Sequence, residues 1–375
     1  MSEAGAGVPS QPRRLLVTGG AGFLGRAILR ELRKPGAPGC AAPRELVVYD
    51  ARPFDAGACG VPGVRSVVGD VRRYDDLLRA CRGMDAVLHA ASLVDYGHAT
   101  KETLEGINVG GTENVIRACR EAGVPALVYT STMDVVCDGD AISNADETRP
   151  YPSRFQDDYA RTKATAEQAV IAANGPGLRT CSLRPCGMYG EEDPYHVSNI
   201  LRVVREGKLV ARMGTSKTVF QHAYVGNVAH AHLLALRSLS EQGPVAAGQV
   251  YILTDHPAVN FFEFIEPLVN AMGHRVPPRW RTVPFPLAYA GGAVLELVHA
   301  AFGRFLRNPP ALTRSSANMV CKDLSFDGSK ARRDLGYEPV YSEAEALDRT
   351  IAFFREHGPV EMPVVPELET PADAS

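Results

Sequence analysis

The chain has 375 residues, 45% apolar and 22% charged, with a formal net charge of −3. This balance suits a soluble globular protein with a sizeable core, and it lacks the basic excess of a nucleic-acid binder. None of the eight cysteines forms a CxxC pair and several lie in apolar runs, so buried thiols in a reducing compartment are expected, not disulfides or a metal site.

In chain order, residues 1–13 have neither a basic start nor an apolar core and read as a disordered leader of a cytoplasmic protein. Short apolar runs follow: "RLLVTGG" (14–20), "ELVVYD" (45–50), "VRSVVGD" (64–70), "DAVLHAA" (85–91) and "ALVYTST" (126–132). Helical patterns separate most of them, over 23–32, 74–81 and 112–122, the last with Thr112 as cap and Gly123 with Pro125 as stop. A further helix over 157–173, capped by Asp157, precedes the strand "RTCSLRP" (179–185). Strands alternating with helices predict an α/β protein with a Rossmann-type, doubly wound parallel sheet.

After residue 190 the pattern turns mainly helical. The expected organisation is a cofactor-binding domain over 14–190 and a smaller substrate region over 191–357, interleaved with the sheet. An apolar stretch, 285–302, is interrupted by Glu296 and His299. Residues 358–375 are proline-rich and acidic and read as a disordered tail.

"LLVTGGAGFLG" ends the first strand and opens a helix. Gly19, Gly22 and Gly25 suit a tight turn that brings backbone amides to a pyrophosphate, with Phe23 and Leu24 opening the helix. Asp50 ends the next strand, where a carboxylate accepts from a ribose diol and favours NAD over NADP. Arg52 is the competing signal, because a guanidinium there can hold a 2′-phosphate. Asp70 and Val71 in "GDV" fit beside the adenine, and Ala90 and Ala91 in "HAAS" leave room for the cofactor.

"YARTK" places Tyr159 four residues before Lys163, on one helical face. An ammonium beside a phenol stabilises the phenolate and gives a base for alcohol or carbonyl chemistry. Two residues on a solvated helix satisfy the same spacing.

Taken together, "TGGAGFLG", "GDV", "HAAS", "NVGGTENV", "YTST", "YARTK", "LRPCGMYG" and "YVGNVAHAH" resemble extended short-chain dehydrogenases/reductases. The chain is most similar to the 3β-hydroxysteroid dehydrogenase family, including sterol-4-carboxylate 3-dehydrogenases, from residue 14 to "RRDLGYEP" (332–339) and beyond. The resemblance implies that Tyr159 moves the substrate proton, that Lys163 also positions the cofactor ribose, and that Thr132, beside Ser131, polarises the substrate oxygen. It puts Asn108 in a backbone-holding role and Arg184 and Pro185 near the nicotinamide. It further implies a steroid-like hydrophobic substrate, a homodimer, and peripheral membrane contact through 285–302, although an ordinary core helix fits that stretch as well. Reduction of a β-keto acid or other lipid-like ketone, epimerase or dehydratase action on a nucleotide sugar, and a catalytically silent NAD-binding regulator are the alternatives.

Overall fold

The computed structural model describes residues 12–38, 43–55, 64–94, 99–241, 243–302 and 312–363. Seven parallel strands form the central sheet in the order β3-β2-β1-β4-β5-β7-β11: β1 (Arg14–Thr18), β2 (Glu45–Asp50), β3 (Val64–Val68), β4 (Ala86–His89), β5 (Ala126–Thr130), β7 (Arg179–Pro185) and β11 (Gln249–Leu253). Their side chains alternate between two cores. Leu15 and Val17 pack with helix α1 (Phe23–Leu32), whereas Leu16 faces the opposite side. Both faces are covered, which is why these strands read as nearly unbroken apolar runs.

On one face lie α1 and α7 (Val225–Ser240). On the other lie α2 (Tyr74–Cys81), α4 (Gly111–Ala122) and α5 (Asp158–Ala172). The sequence reading started α4 at a Thr112 cap, and the structure corrects it. The helix begins as α3 (Lys101–Leu104), capped by Thr100, and runs through a π segment (Glu105–Gly110) into α4. Thr112 lies inside it, its hydroxyl donating to Asn108 O (2.6 Å).

The remaining elements are β6 (Ile142–Ala145), β8 (Gly187–Tyr189), α6 (Val197–Arg205), β9 (Arg212–Met213), β10 (His222–Tyr224), α8 (Phe261–Ala271), β12 (Thr282–Val283), α9 (Phe285–Phe302), α10 (Arg314–Cys321), β13 (Leu324–Phe326), α11 (Ser329–Leu335) and α12 (Glu343–His357). From the second half of the chain, β11 pairs with β7 and forms an edge of the sheet.

The structure describes part of each expected terminal segment. Arg13 donates its amide to Asp85 (2.8 Å), and residues 1–11 lie outside the described part. Beyond α12, Val360 packs on the core and its amide donates to Ser198 Oγ (2.8 Å). Only residues 364–375 of the expected tail fall outside the description.

Candidate active site

Strand order reverses between β1 and β4, which opens a crevice at their carboxyl ends, where such sheets bind ligands. Its first wall is the turn after β1. Gly19 adopts φ +72°, and a Cβ there would stand 2.6 Å from Ala91 N. A Cβ on Gly25 would lie 2.3 Å from Gly19 O. Glycine is therefore required where the turn meets β4 and where α1 meets the turn. Helix α1 starts at Gly22 with no side-chain cap and no acidic residue in its first turn, so its positive end is uncompensated.

The crevice is partly open to solvent. Gly19, Gly22, Phe23, Leu24, Gly25, Asp50, Arg52, Asp70, Val71, Ala90, Ala91, Tyr159 and Lys163 all line it. Asp50 does more than face the crevice: Oδ2 accepts from Ala21 N (3.0 Å) and Oδ1 from Arg52 N (2.9 Å), tying the glycine turn to the next loop. Asp70 is gripped by the Arg72 guanidinium at 2.6–3.0 Å, which fixes the "GDV" turn.

Under the floor runs a buried polar chain. The Thr112 hydroxyl donates to Asn108 O, so it must accept from His89 Nε2 (3.0 Å); Nδ1 then accepts from Thr18 (2.7 Å). Burial pushes His89 down to about 3, and the ring stays neutral. Asn108 holds Leu93 through both its amide and carbonyl and donates to Thr162, as a backbone-holding residue would.

Tyr159 and Lys163 stand on α5, whose Asp157 cap accepts from Ala160 N (2.8 Å). Lys163 is 2% exposed. Its ammonium donates to Thr130 O (2.6 Å) and lies 4.3 Å from the centre of the Tyr129 ring. Burial lowers its pKa to about 7, partly opposed by the Glu167 carboxylate.

Three residues expected at the site are not in the crevice lining. Thr132 is not part of the crevice lining; its hydroxyl donates to Asp134 Oδ2 (2.7 Å). Its neighbour Ser131 does line the crevice, with a buried Oγ that has no partner. Pro185 ends β7 opposite Leu253, away from the lining, and Arg184 is turned into the protein against Glu167 (2.6 Å). Met188, inside the stretch 187–190 expected to open the substrate region, lines the crevice; sequence reading missed Leu93, Val94, Ile107, Tyr195 and Pro363, which line it too.

A family model described as the 3-beta hydroxysteroid dehydrogenase/isomerase family matches residues 16–287. The short-chain dehydrogenase/reductase family 42E member 1 of Bos taurus is 36% identical over 367 residues, covering 93% of this chain and 89% of its own. A 3-beta-hydroxysteroid dehydrogenase of Mycolicibacterium neoaurum is 33% identical over 353 residues, covering 91% of each chain. Among solved structures, the dTDP-glucose 4,6-dehydratase DesIV of Streptomyces venezuelae, with NAD and TYD bound, superposes with a TM-score of 0.70 at 25% identity, over 92% of this chain and 97% of its own.

Proposed function

The chain belongs to the 3-beta hydroxysteroid dehydrogenase/isomerase family, and from that membership we propose that it oxidises the 3β-hydroxyl of a steroid or sterol to the ketone with NAD. One observation carries the reading: a single crevice has the glycine turn at one wall and Tyr159 with Lys163 at another. The residues fit a dinucleotide. A Cβ on Gly22 would meet only Gly19 O (3.1 Å) and the Arg52 guanidinium (3.7 Å), so the glycine leaves space before an uncapped helix end. The Asp50 carboxylate suits the adenosine ribose, and Arg52 lies beside it.

When bound, NAD supplies the acceptor for the hydride that leaves the carbinol carbon. Tyr159 takes the hydroxyl proton, and the Lys163 ammonium stabilises the phenolate and orients the ribose. A hydroxyl at the end of β5 holds the substrate oxygen. Thr132 fills this role once its proton leaves Asp134; Ser131 is already unpaired in the crevice. The variants Thr132→Ala and Ser131→Ala separate them, since only the residue that touches the oxygen lowers kcat sharply. With a 4-carboxysterol the product is a β-keto acid, which loses CO₂ as the C4–carboxyl electron pair moves into the new ketone.

Helix α9 adds a reason to favour a lipid-like substrate. Among its residues Leu287 is 65% and Leu297 70% exposed, and nearby Trp280 is 77% exposed. No helix among the described residues is long and apolar enough to cross a membrane. We place this face on a lipid surface, so Leu297→Glu should weaken co-sedimentation with phosphatidylcholine vesicles.

The test is turnover. Purified protein with NAD or NADP is offered 3β-hydroxysteroids, 4-carboxysterols, β-hydroxy acids and nucleotide sugars, and the absorbance of reduced cofactor is followed. Oxidation of the 3β-hydroxy compounds with NAD is the expected result. Activity confined to nucleotide sugars, or cofactor binding without any turnover, overturns it.

A further inference from the structure

Tyr159, Lys163 and Glu167 follow one another at four-residue spacing on α5, so one stripe of the helix carries a phenol, an ammonium and a carboxylate. Glu167 is 0% exposed. Arg184 on β7 holds it through Nε (3.1 Å to each oxygen) and Nη2 (2.6 Å). Ser182 Oγ and Tyr151 Oη each donate to it at 2.7 Å. These donors keep its carboxyl below the usual range despite burial.

An ion pair buried this deeply is weak evidence for stability, because desolvating both charges offsets most of their attraction. Its position suggests another use. Lys163 is buried as well, and its contacts are a carbonyl, Thr130 O, and the Tyr129 ring, neither of which carries a full negative charge. Burial alone favours the neutral amine.

The ionisable groups on the elements around Lys163 narrow the choice. His89 on β4 is neutral, and Tyr129 on β5 is held protonated by burial. Asp134, in the turn after β5, is hydrogen-bonded to Thr132, and burial raises its pKa. Glu105 in the π segment is salt-bridged to Arg161. On β7 the buried Cys181 stays a thiol and Arg184 is directed at Glu167. On α4, Cys119 is a buried thiol, and Glu113, Arg117, Arg120 and Glu121 are exposed, as are Lys101 and Glu102 on α3. Glu167 is the carboxylate that raises the proton affinity of Lys163.

We propose that Glu167 is a positioning residue for the Tyr159–Lys163 pair: its Arg184-anchored carboxylate keeps the buried Lys163 ammonium charged and so sets the alkaline limit of turnover. The link to turnover rests on the oxidoreductase reading above; the effect on the charge of Lys163 does not. The predicted consequence has a definite sign. Lys163 must be protonated to stabilise the phenolate, so removing the negative charge makes it lose its proton at lower pH, and activity falls earlier as pH rises.

Substituting Glu167 alone strands a buried guanidinium and risks misfolding, so the decisive variant is Glu167→Gln with Arg184→Met, which removes both charges. Tyr151→Phe is the control that deletes one hydrogen bond and keeps the charge. Protein labelled with ¹³C at lysine Cε is titrated by NMR, with the Lys163 signal identified by its loss in Lys163→Arg. The double variant is expected to lower the Lys163 midpoint by about one pH unit, as removal of a nearby opposite charge does, and Tyr151→Phe to leave it in place. The alkaline limb of kcat should move with the midpoint, giving about tenfold slower turnover above it. An unmoved midpoint in the double variant, or an equal shift in Tyr151→Phe, overturns the proposal. A shifted midpoint in a protein that turns over none of the substrates upholds the charge-holding role and refutes the oxidoreductase reading instead.

Discussion

Gly25→Ala tests whether the turn after β1 is built for close approach. The added Cβ would stand 2.3 Å from Gly19 O, 2.5 Å from Gly20 Cα and 2.8 Å from Gly20 C, all backbone of the turn itself. No side chain can rotate away, so α1 and the turn must separate by about 1 Å to reach ordinary van der Waals contact. Overpacking of this kind costs roughly 1–3 kcal/mol, and alanine's better helix propensity returns about 1 kcal/mol. Over 375 residues the unfolding entropy is about 0.8 kcal/mol per degree, so Tm should fall by no more than about 3 °C. Cofactor affinity should fall at least about tenfold, because a displacement of this size misplaces every amide meant for the phosphates. Thermal melting with NAD titration by fluorescence reads both. The control is Gly123→Ala, where φ is +71° but nothing lies within 4 Å: stability should drop slightly and affinity not at all. Unchanged NAD affinity in Gly25→Ala would refute the assignment of this turn to the pyrophosphate.

Other perturbations have equally direct readouts. Asp50→Ala should weaken NAD more than NADP and also loosen the turn, since Asp50 holds Ala21 N; the opposite order would mean that Arg52 sets the preference. Deleting residues 358–375 should raise the Kd for NAD and speed its release, because Pro363 forms part of the crevice and the preceding segment is tied to Ser198; identical binding would contradict that placement. Acid should weaken the histidine contribution to stability as pH falls from about 6.5 towards 4. Burial pushes His89 to about 3 and His196 and His232 to about 4, so these rings are neutral when folded and bind protons near pH 6.5 when unfolded. Their depressed values leave stability intact above pH 6.5 and reduce it as pH falls towards 4, which thermal melts across that range will show; a flat Tm would contradict it.

What the sequence made legible was local. Alternating strands and helices, the glycine spacing and the Asp157 cap leave short-range signatures, and the sheet, the turn and α5 lie where those signatures put them. What stayed hidden depends on distant partners. Thr112 reads as a helix cap, yet His89 and Asn108 draw its hydroxyl into the helix interior. The tight turn over Met133–Val136 brings Asp134 to Thr132 and leaves Ser131 to face the crevice, which no strand pattern encodes. Arg184 follows the family pattern in sequence, but a buried carboxylate claims it. Pro363 lines the crevice together with residues more than three hundred positions earlier, a placement without any local trace.

The claim on which the account stands is that Tyr159 moves the substrate's proton beside a bound NAD. Turnover of Tyr159→Phe on a 3β-hydroxysteroid, measured together with its NAD affinity, tests it most directly. The account predicts loss of turnover with NAD affinity close to that of the unaltered protein. A Tyr159→Phe protein that still oxidises the steroid at the original rate would contradict it.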